Sequence, residues 1–123
     1  MKKPLKVLIV EDERLIAKCL KRNVEDLGVI VPEPPARGED SIDIALSENP
    51  DLILMDIRLA GGMDGIEATE QILIKKKIPI VFMTGFAIED IKERAQELNP
   101  VAYLEKPVDI NSVKKIIGEL KAD

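Results

Sequence analysis

Several short apolar runs of this chain end in side chains that could take part in chemistry. The residues concerned are Glu11 and Asp12, Asp56, Thr84, and Lys106. Carboxylates that lie close together repel one another, so a cluster of them requires a cation. Oxygen ligands in a chain without histidine favour a hard ion, and Mg²⁺ commonly binds a few carboxylates together with waters and phosphate oxygens. Glu11 or Asp12, together with Asp56, would supply such a partial shell.

Asp56 is also a candidate nucleophile, because a carboxylate can accept a phosphoryl group and form an aspartyl-phosphate. Phosphoryl transfer requires the attacking and leaving groups to be placed in line with the phosphorus atom. It also requires neutralisation of the charge on the equatorial oxygens. Mg²⁺ would bind one oxygen, the Lys106 ammonium would approach a second, and the Thr84 hydroxyl would donate to a third. Backbone N–H groups near Arg58 and Gly85 would serve the remaining positions. These residue types therefore predict a Mg²⁺-dependent phosphoacceptor site.

Each of these residues also has an ordinary structural explanation. Asp12 could cap a helix, Asp56 could belong to a turn, Thr84 is a good strand former, and Lys106 could be a solvated turn residue. The structural explanation would have to hold at every position at once. The combination of residues is therefore better evidence for a site than any one of them.

The elements that position these residues alternate between strand and helix. The predicted strands are Leu5–Val10, Val29–Val31, Leu52–Asp56, Ile78–Met83 and Val101–Leu104, and a helical pattern follows each. This alternation predicts an α/β fold: five parallel strands, doubly wound and covered by helices on both faces. The prolines of Pro32–Pro35 cut the second strand short and place it at an edge, which favours the flavodoxin-like strand order 2-1-3-4-5. Ligands of such sheets bind beyond the carboxyl ends of the strands.

The first helix shows the clearest apolar spacing, and Gly28 marks its end. The residues that recur at spacings of three and four are Leu15, Ile16, Cys19, Leu20, Val24 and Leu27.

Length and composition limit the class of protein. We expect a single domain over residues 1–123, with 46% apolar and 33% charged residues, as in soluble globular chains. A net charge of -5 and no basic block beyond Lys75–Lys77 argue against a direct nucleic-acid partner. A lone Cys19, no export signal and no membrane-spanning run predict a cytoplasmic protein without a membrane partner. The lack of histidine excludes a phosphohistidine on this chain.

At these residues the chain resembles the receiver domain of two-component response regulators, from Lys6 to Leu120. The matching motifs are Val10-Glu11-Asp12, Leu54-Met55-Asp56, Met63-Asp64-Gly65, Met83-Thr84-Gly85 and Tyr103-Leu104-Glu105-Lys106-Pro107. The resemblance implies that Asp56 accepts phosphate from the phosphohistidine of a sensor histidine kinase or phosphotransfer protein. It also implies that Mg²⁺ or Mn²⁺ is bound by Glu11, Asp12, Asp56 and the backbone carbonyl of Arg58.

The resemblance further implies a switch rather than an enzyme, with slow autodephosphorylation. Lys106 would contact the phosphoryl group, and the Lys106–Pro107 peptide bond would be cis. Thr84 would move to bond the phosphate, and Tyr103 would act as an aromatic rotamer switch. The surface formed by the fourth helix, fifth strand and fifth helix would then change and be read by an effector or output domain. That surface could also support a weak dimer, and a monomer is equally compatible.

The sequence departs from the usual receiver pattern in several places. The loop between Asp56 and Gly65 is about one residue longer than the commonest form, with Ala60 where proline is frequent. Gly85 replaces the usual alanine after the switch threonine, which loosens that loop. Phe86 would screen the phosphate from water, so we expect a long-lived phosphorylated form. The Pro32–Pro35 segment has no predicted role beyond protecting the sheet edge.

Three other functions are compatible with this fold. A phosphate-independent interaction module would lack part of the acidic set or the lysine, and both are present. A flavin-binding electron carrier needs a phosphate-binding loop after the first strand, where the acidic Glu11–Glu13 would repel the phosphate. An aspartyl-nucleophile hydrolase needs a general acid soon after Asp56, and Arg58 lies there.

Neither the kinase nor the downstream target can be read from the sequence, and a stand-alone receiver and a fragment of a larger regulator both fit.

Overall fold

A computed structural model describes residues 4–85 and 89–122 of the chain. Its strands are β1 (Val7–Val10), β2 (Leu52–Asp56), β3 (Ile80–Thr84) and β4 (Ala102–Glu105). Its helices are α1 (Arg14–Glu25), α2 (Gly38–Glu48), α3 (Gly65–Lys75), α4 (Glu89–Gln96) and α5 (Ile110–Ala122). All strand pairs are parallel, in the order β1-β2-β3-β4. The predicted doubly wound α/β architecture is therefore confirmed.

The second predicted strand is much shorter than expected. Within the described residues the sheet has four strands, and the segment Val29–Val31 contributes a single parallel bridge between Ile30 and Lys6. Val7 N donates to Ile30 O and Ile30 N donates to Leu5 O, each at 2.8 Å. The bridge lies on the outer side of β1, where the predicted order placed this strand. It extends no further because the prolines that follow have no N–H to donate.

Both faces of the sheet are covered by apolar side chains, because successive residues of a strand point to opposite faces. On one face, residues such as Ile9 and Leu54 pack with Leu20 and Val24 of α1 and with Val113 of α5. On the other face, residues of β1, β2 and β3 pack with α2, α3 and α4, for example Leu8, Ile53, Phe82, Ala45, Ile72 and Ala95. All residues of β1 and β2 are buried, which explains their nearly continuous apolar sequences.

The predicted first helix is present as α1, but the first apolar residues of its pattern are not buried. Leu15 is 76% exposed, Ile16 is 40% exposed and Cys19 is exposed. The buried residues of this helix are Ala17, Leu20 and Val24. They lie three and four positions apart and face the sheet. The three exposed side chains lie to one side of that stripe and line a groove of about 360 Å³ with the segment after β4.

The loop after β2 is held tightly at both of its ends. Gly65 N donates to Ile57 O at 2.8 Å, and a Cβ at Gly65 would lie 2.0 Å from the Asp56 carbonyl oxygen. Further along the loop, Ala60 forms a parallel bridge with Arg37. The longer loop therefore folds back onto the residue that precedes α2.

Candidate functional site

The register of the sheet brings the carboxyl ends of its strands level with one another. Val10 pairs with Met55, Asp56 pairs with Met83, and Thr84 pairs with Glu105. Glu11 and Lys106 directly follow β1 and β4, so their side chains start from the same rim as Asp56 and Thr84. The predicted convergence of strand ends therefore occurs in the folded chain.

Three acids meet at this rim. One carboxylate oxygen from each of Glu11, Asp12 and Asp56 lies within 4.8 Å of the other two. Glu11 is fully buried and Asp56 is 2% exposed, whereas Asp12 is half-buried and reaches solvent. Buried carboxylates are stable only when they are paired, protonated or bound to a metal. An all-oxygen set of this size fits Mg²⁺ or Mn²⁺, the hard ions that the sequence predicts.

Lys106 inserts its ammonium between two of the acids. Its Nζ lies 2.5 Å from Glu11 Oε1 and 2.6 Å from Asp56 Oδ2. Charge-assisted hydrogen bonds of this kind are roughly twice as strong as neutral ones. Three carboxylates still face this one ammonium, so negative charge remains in excess at the rim.

Burial and the closeness of the acids to one another both affect the pKa values of the carboxyl groups. Burial, together with the neighbouring Glu11, raises the pKa of Asp56 to about 7, although Lys106 acts in the opposite direction. Burial and Glu11 also raise the pKa of Asp12. For Glu11, burial is outweighed by hydrogen bonds to Lys106 and Asp56, which lower its pKa. The metal-free site therefore holds a proton near neutral pH, and a cation would displace it.

Backbone groups fix the acceptor and the lysine in place. Arg58 N donates to Asp56 Oδ1 at 3.1 Å, and Lys106 N donates to Thr84 O at 2.7 Å. Thr84 is 4% exposed at the end of β3. The Lys106–Pro107 peptide bond is cis, as the resemblance implied. The role of the Arg58 carbonyl as a metal ligand stays a prediction.

A cavity of about 310 Å³ opens directly over the acids. It is lined by Asp12, Glu13, Asp56, Arg58, Gly85 and Lys106. The lining carries both acidic groups and the lysine, so an anionic group bound to a cation would find both charges matched. Phe86 lies outside the described residues, so its screening of this cavity stays a prediction.

Tyr103 points into the protein from β4. Its ring packs against the apolar cluster that includes Ile91 and Ala95, and Lys92 Nζ lies 5.9 Å from the ring centre. Its hydroxyl is buried and has no hydrogen-bond partner among the described residues. An unpartnered buried hydroxyl is unfavourable, by about 1–3 kcal/mol. The buried hydroxyl group therefore destabilises this position of the Tyr103 ring.

Neither Glu13 nor Arg14, which follow the acids in the chain, was predicted to be a site residue. The alternative in which Asp12 caps α1 is not supported, because the N-cap residue is Glu13 and it makes no side-chain cap hydrogen bond. Glu13 instead lines the cavity. Arg14 was also missed, although its guanidinium contacts the backbone of the acidic segment. The signal was present in the sequence, since a cation in the first turn of a helix opposes the helix dipole.

Comparison with known proteins places the chain among signalling proteins. Residues 7–118 match the family model described as the response regulator receiver domain. The chain is 36% identical over 110 residues to the transcriptional regulatory protein PdtaR of Mycobacterium tuberculosis, a match that covers 89% of this chain and 53% of PdtaR. The chain thus spans about half the length of the curated relatives it matches.

Solved structures give the same relationship. The signal receiver domain of a modulated diguanylate cyclase from Desulfovibrio desulfuricans G20 is similar with a TM-score of 0.85 at 35% identity, covering 98% of both chains. A response regulator receiver domain from Methylobacillus flagellatus is similar with a TM-score of 0.85 at 28% identity, covering 96% of this chain and 99% of the other. Among the described residues, no helix combines the length and the apolar character that crossing a membrane requires.

Proposed function

This chain belongs to the response regulator receiver domain family of two-component signalling, and on that basis we propose that Asp56 is its phosphoacceptor. The donor is a phosphohistidine on a sensor histidine kinase or phosphotransfer protein. Residues 1–123 contain no histidine, so the donor residue lies outside them. Residues 1–123 act as one cytoplasmic receiver domain, and the readout is an effector protein or an output domain.

The observation that carries this proposal is the Lys106 ammonium lying between two buried carboxylates. Asp56 presents Oδ2 to the lysine and Oδ1 to the Arg58 amide, so both oxygens are oriented. A nucleophile fixed in this way needs little reorganisation when a phosphoryl group approaches. Lys106 then stays within reach of the transferred group and neutralises part of its charge.

Glu11, Asp12, Asp56 and the Arg58 carbonyl are the residues that would hold the metal ion. The acidic cluster fits such an ion because its three carboxylates exceed the one ammonium beside them. When bound, Mg²⁺ or Mn²⁺ neutralises equatorial oxygens of the phosphoryl group. Asp12 is half-buried, whereas Glu11 and Asp56 are buried, so Asp12 is the carboxylate ligand that solvent can reach.

Transfer to Asp56 would be followed by a rearrangement of Thr84 and Tyr103. The Thr84 hydroxyl donates to the phosphoryl group, and Tyr103 changes rotamer as the β3 end moves. This proposal is supported by the buried Tyr103 hydroxyl, which has no hydrogen-bond partner within residues 4–85 and 89–122 and therefore does not favour the present ring position. The surface formed by α4, β4 and α5 would change as a result and be read by the partner.

The proposal is tested with Mg²⁺ and a small acyl phosphate such as acetyl phosphate. Intact mass should increase by one phosphoryl group, and Asp56→Asn should abolish the adduct. Asp43→Asn is the matched control, because Asp43 is an exposed aspartate outside the site. No adduct in the wild-type protein would contradict the proposal. Continuous turnover of acetyl phosphate would favour a hydrolase instead.

The Tyr103 switch can be followed by optical spectroscopy, since the chain contains one tyrosine and no tryptophan. Adding Mg²⁺ and beryllium fluoride, a phosphoryl analogue, should change the tyrosine fluorescence and near-ultraviolet circular dichroism. Thr84→Ala should reduce that change while leaving Mg²⁺ binding intact. An identical tyrosine signal with and without the analogue would eliminate the switch role of Tyr103 but leave Asp56 as the acceptor.

A further inference from the structure

The Arg14 side chain is bound to the backbone beside the acidic cluster rather than to an acidic side chain. Its guanidinium donates to the carbonyl oxygens of Glu11, Asp12 and Pro34, with the Asp12 contact at 3.4 Å and the Pro34 contact at 2.8 Å. Two of these carbonyls belong to residues of the acidic cluster. A planar guanidinium with several N–H groups can hold several carbonyls in a fixed relative orientation, which a lysine ammonium cannot reproduce.

The third carbonyl connects the acidic segment to the Pro32–Pro35 segment. Pro34 and Pro35 are buried, and proline offers only a carbonyl for backbone hydrogen bonding. The Pro34 oxygen accepts from Arg14, and the Pro35 oxygen accepts from Glu11 N at 3.2 Å. Glu11 is therefore fastened to this segment through its own amide and, by way of Arg14, through its carbonyl.

The position of Arg14 is unfavourable for the helix it begins. Arg14 is the first residue of α1, whose first turn contains no acidic residue and whose N-cap residue makes no side-chain hydrogen bond. A cation at this end of a helix opposes the macrodipole, and anions are the favoured residues there. A residue that contradicts a local preference in this way is expected where another requirement is stronger.

We propose that Arg14 is a positioning residue that aims the Glu11 and Asp12 carboxylates into the metal site by fixing their peptide carbonyls against the Pro32–Pro35 segment. The inference rests on the proposed function, since it concerns the same metal site. It also gives the Pro32–Pro35 segment a role, as the rigid support to which the acidic segment is attached. Arg14 itself touches neither the phosphoryl group nor the ion.

The sign of the effect on metal binding separates positioning from simple electrostatics. Arg14 is a cation near a cation site, so its charge alone weakens Mg²⁺ binding, and removing that charge should tighten it. Loss of positioning acts in the opposite direction, because outer residues that orient metal ligands typically contribute about 10–100-fold to affinity. A weakened Mg²⁺ affinity in a variant without the charge therefore cannot have an electrostatic origin.

The experiment is isothermal titration of Mg²⁺ into the wild-type chain, Arg14→Ala, Arg14→Lys and Arg22→Ala. We expect the Mg²⁺ Kd to rise by about tenfold or more in Arg14→Ala and by less in Arg14→Lys, which keeps the charge and one donor group. Arg22→Ala is the matched control, because Arg22 is an exposed arginine at the other end of the same helix. Its Kd should stay within about twofold of the wild-type value.

A second measurement tests the same inference without metal. Hydrogen exchange of the Glu11 amide, which donates to Pro35 O, should accelerate in Arg14→Ala while the amides of β3 keep their wild-type rates. An unchanged or lower Mg²⁺ Kd together with unchanged Glu11 exchange would overturn the positioning role. A wild-type chain that binds no Mg²⁺ would contradict the proposed function instead, and the metal-free exchange of Glu11 would still decide the role of Arg14.

Discussion

Asp56 is the residue in which the structural and chemical demands of this chain conflict most directly. It lies at the end of a strand that is buried on both faces, and its carboxyl group shares Lys106 with Glu11. Burial therefore favours the neutral acid, whereas the proposed chemistry requires the carboxylate. A bound cation resolves the conflict because it stabilises the charged form.

The pKa of Asp56 predicts how the metal-free protein responds to pH. Its value in the folded chain, about 7, lies above the ordinary value of 3.8. Below about pH 4 the Asp56 carboxyl group is protonated in both the folded and the unfolded chain. Between about pH 4 and 7 it is deprotonated in the unfolded chain but still protonated in the folded chain. The free energy of unfolding therefore falls as pH rises through this range. Because one pKa unit corresponds to about 1.4 kcal/mol, a shift of about three units sets an upper limit of about 4 kcal/mol, and Asp56→Asn should raise the free energy of unfolding at pH 8 by up to that amount.

The measurement is urea unfolding of both proteins in a chelator at pH 8 and pH 4. The gain from Asp56→Asn should be present at pH 8 and nearly absent at pH 4. Saturating Mg²⁺ should then reverse the order, since the wild-type chain gains more from the ion. A variant that is less stable than the wild type at pH 8 in chelator would show that the Lys106 ion pair outweighs the burial of charge.

The positions of some site residues could be predicted from the sequence, and those of others could not. The convergence of Asp56 and Lys106 could be predicted because parallel strands bring their carboxyl ends to one edge. The contact of Arg14 with the Glu11 carbonyl could not be predicted, because carbonyl groups are the same in every residue. The unfavourable place of Arg14 in the first helical turn was the one indirect sign of it. Such contacts to backbone atoms leave little trace in residue type.

At the scale of elements, the turn between β2 and α3 is held by close backbone contacts. Gly65 begins α3, and Asp64 before it forms a capping box with Glu67. The Asp56 carbonyl occupies the space that a side chain at Gly65 would need. The acceptor strand and the following helix are therefore as close as their backbones permit.

This close approach predicts different effects for two neighbouring glycines. Gly65→Ala should destabilise the chain by at least about 2 kcal/mol and slow phosphorylation, because the Asp56 backbone must move. Gly62→Ala is the matched control, since no atom lies within 4 Å of a Cβ at that position. Thermal unfolding and the rate of adduct formation measure the two effects. Equal stability of the two variants would mean that the loop relaxes without disturbing Asp56.

How well a strand or helix could be predicted from the sequence depended on how fully its side chains are buried. The strand Leu52–Asp56 was predicted with the bounds that the structure has, because a strand covered on both faces is apolar throughout. The apolar spacing predicted the helix α1 but not which of its residues are buried, since Leu15 and Ile16 are apolar and line a surface groove. Hydrophobic spacing alone does not distinguish an interior side chain from one beside an open groove.

At the scale of the whole molecule, two apolar clusters share one sheet. Leu54 belongs to the cluster beneath α1 and α5, and the adjacent Ile53 belongs to the cluster beneath α2, α3 and α4. Both side chains are fully buried. Since the strands are common to both clusters, neither face should unfold alone.

Leu54→Ala and Ile53→Ala should therefore behave alike. Each should lower the free energy of unfolding by about 3 kcal/mol, and each should retain a single cooperative transition when followed by circular dichroism and by hydrogen exchange. A single cooperative transition is expected if the whole chain folds as one receiver domain. Two separate transitions in either variant would show that the two faces are independent units.

The contact between Lys106 and Glu11 joins residues that are 95 positions apart in the chain. During synthesis Glu11 leaves the ribosome long before the lysine that balances its charge. A polypeptide that ends between residues 56 and 106 carries Asp56 but lacks the ammonium that the folded rim places beside it. The charges of the rim can therefore balance only after residue 106 has been synthesised.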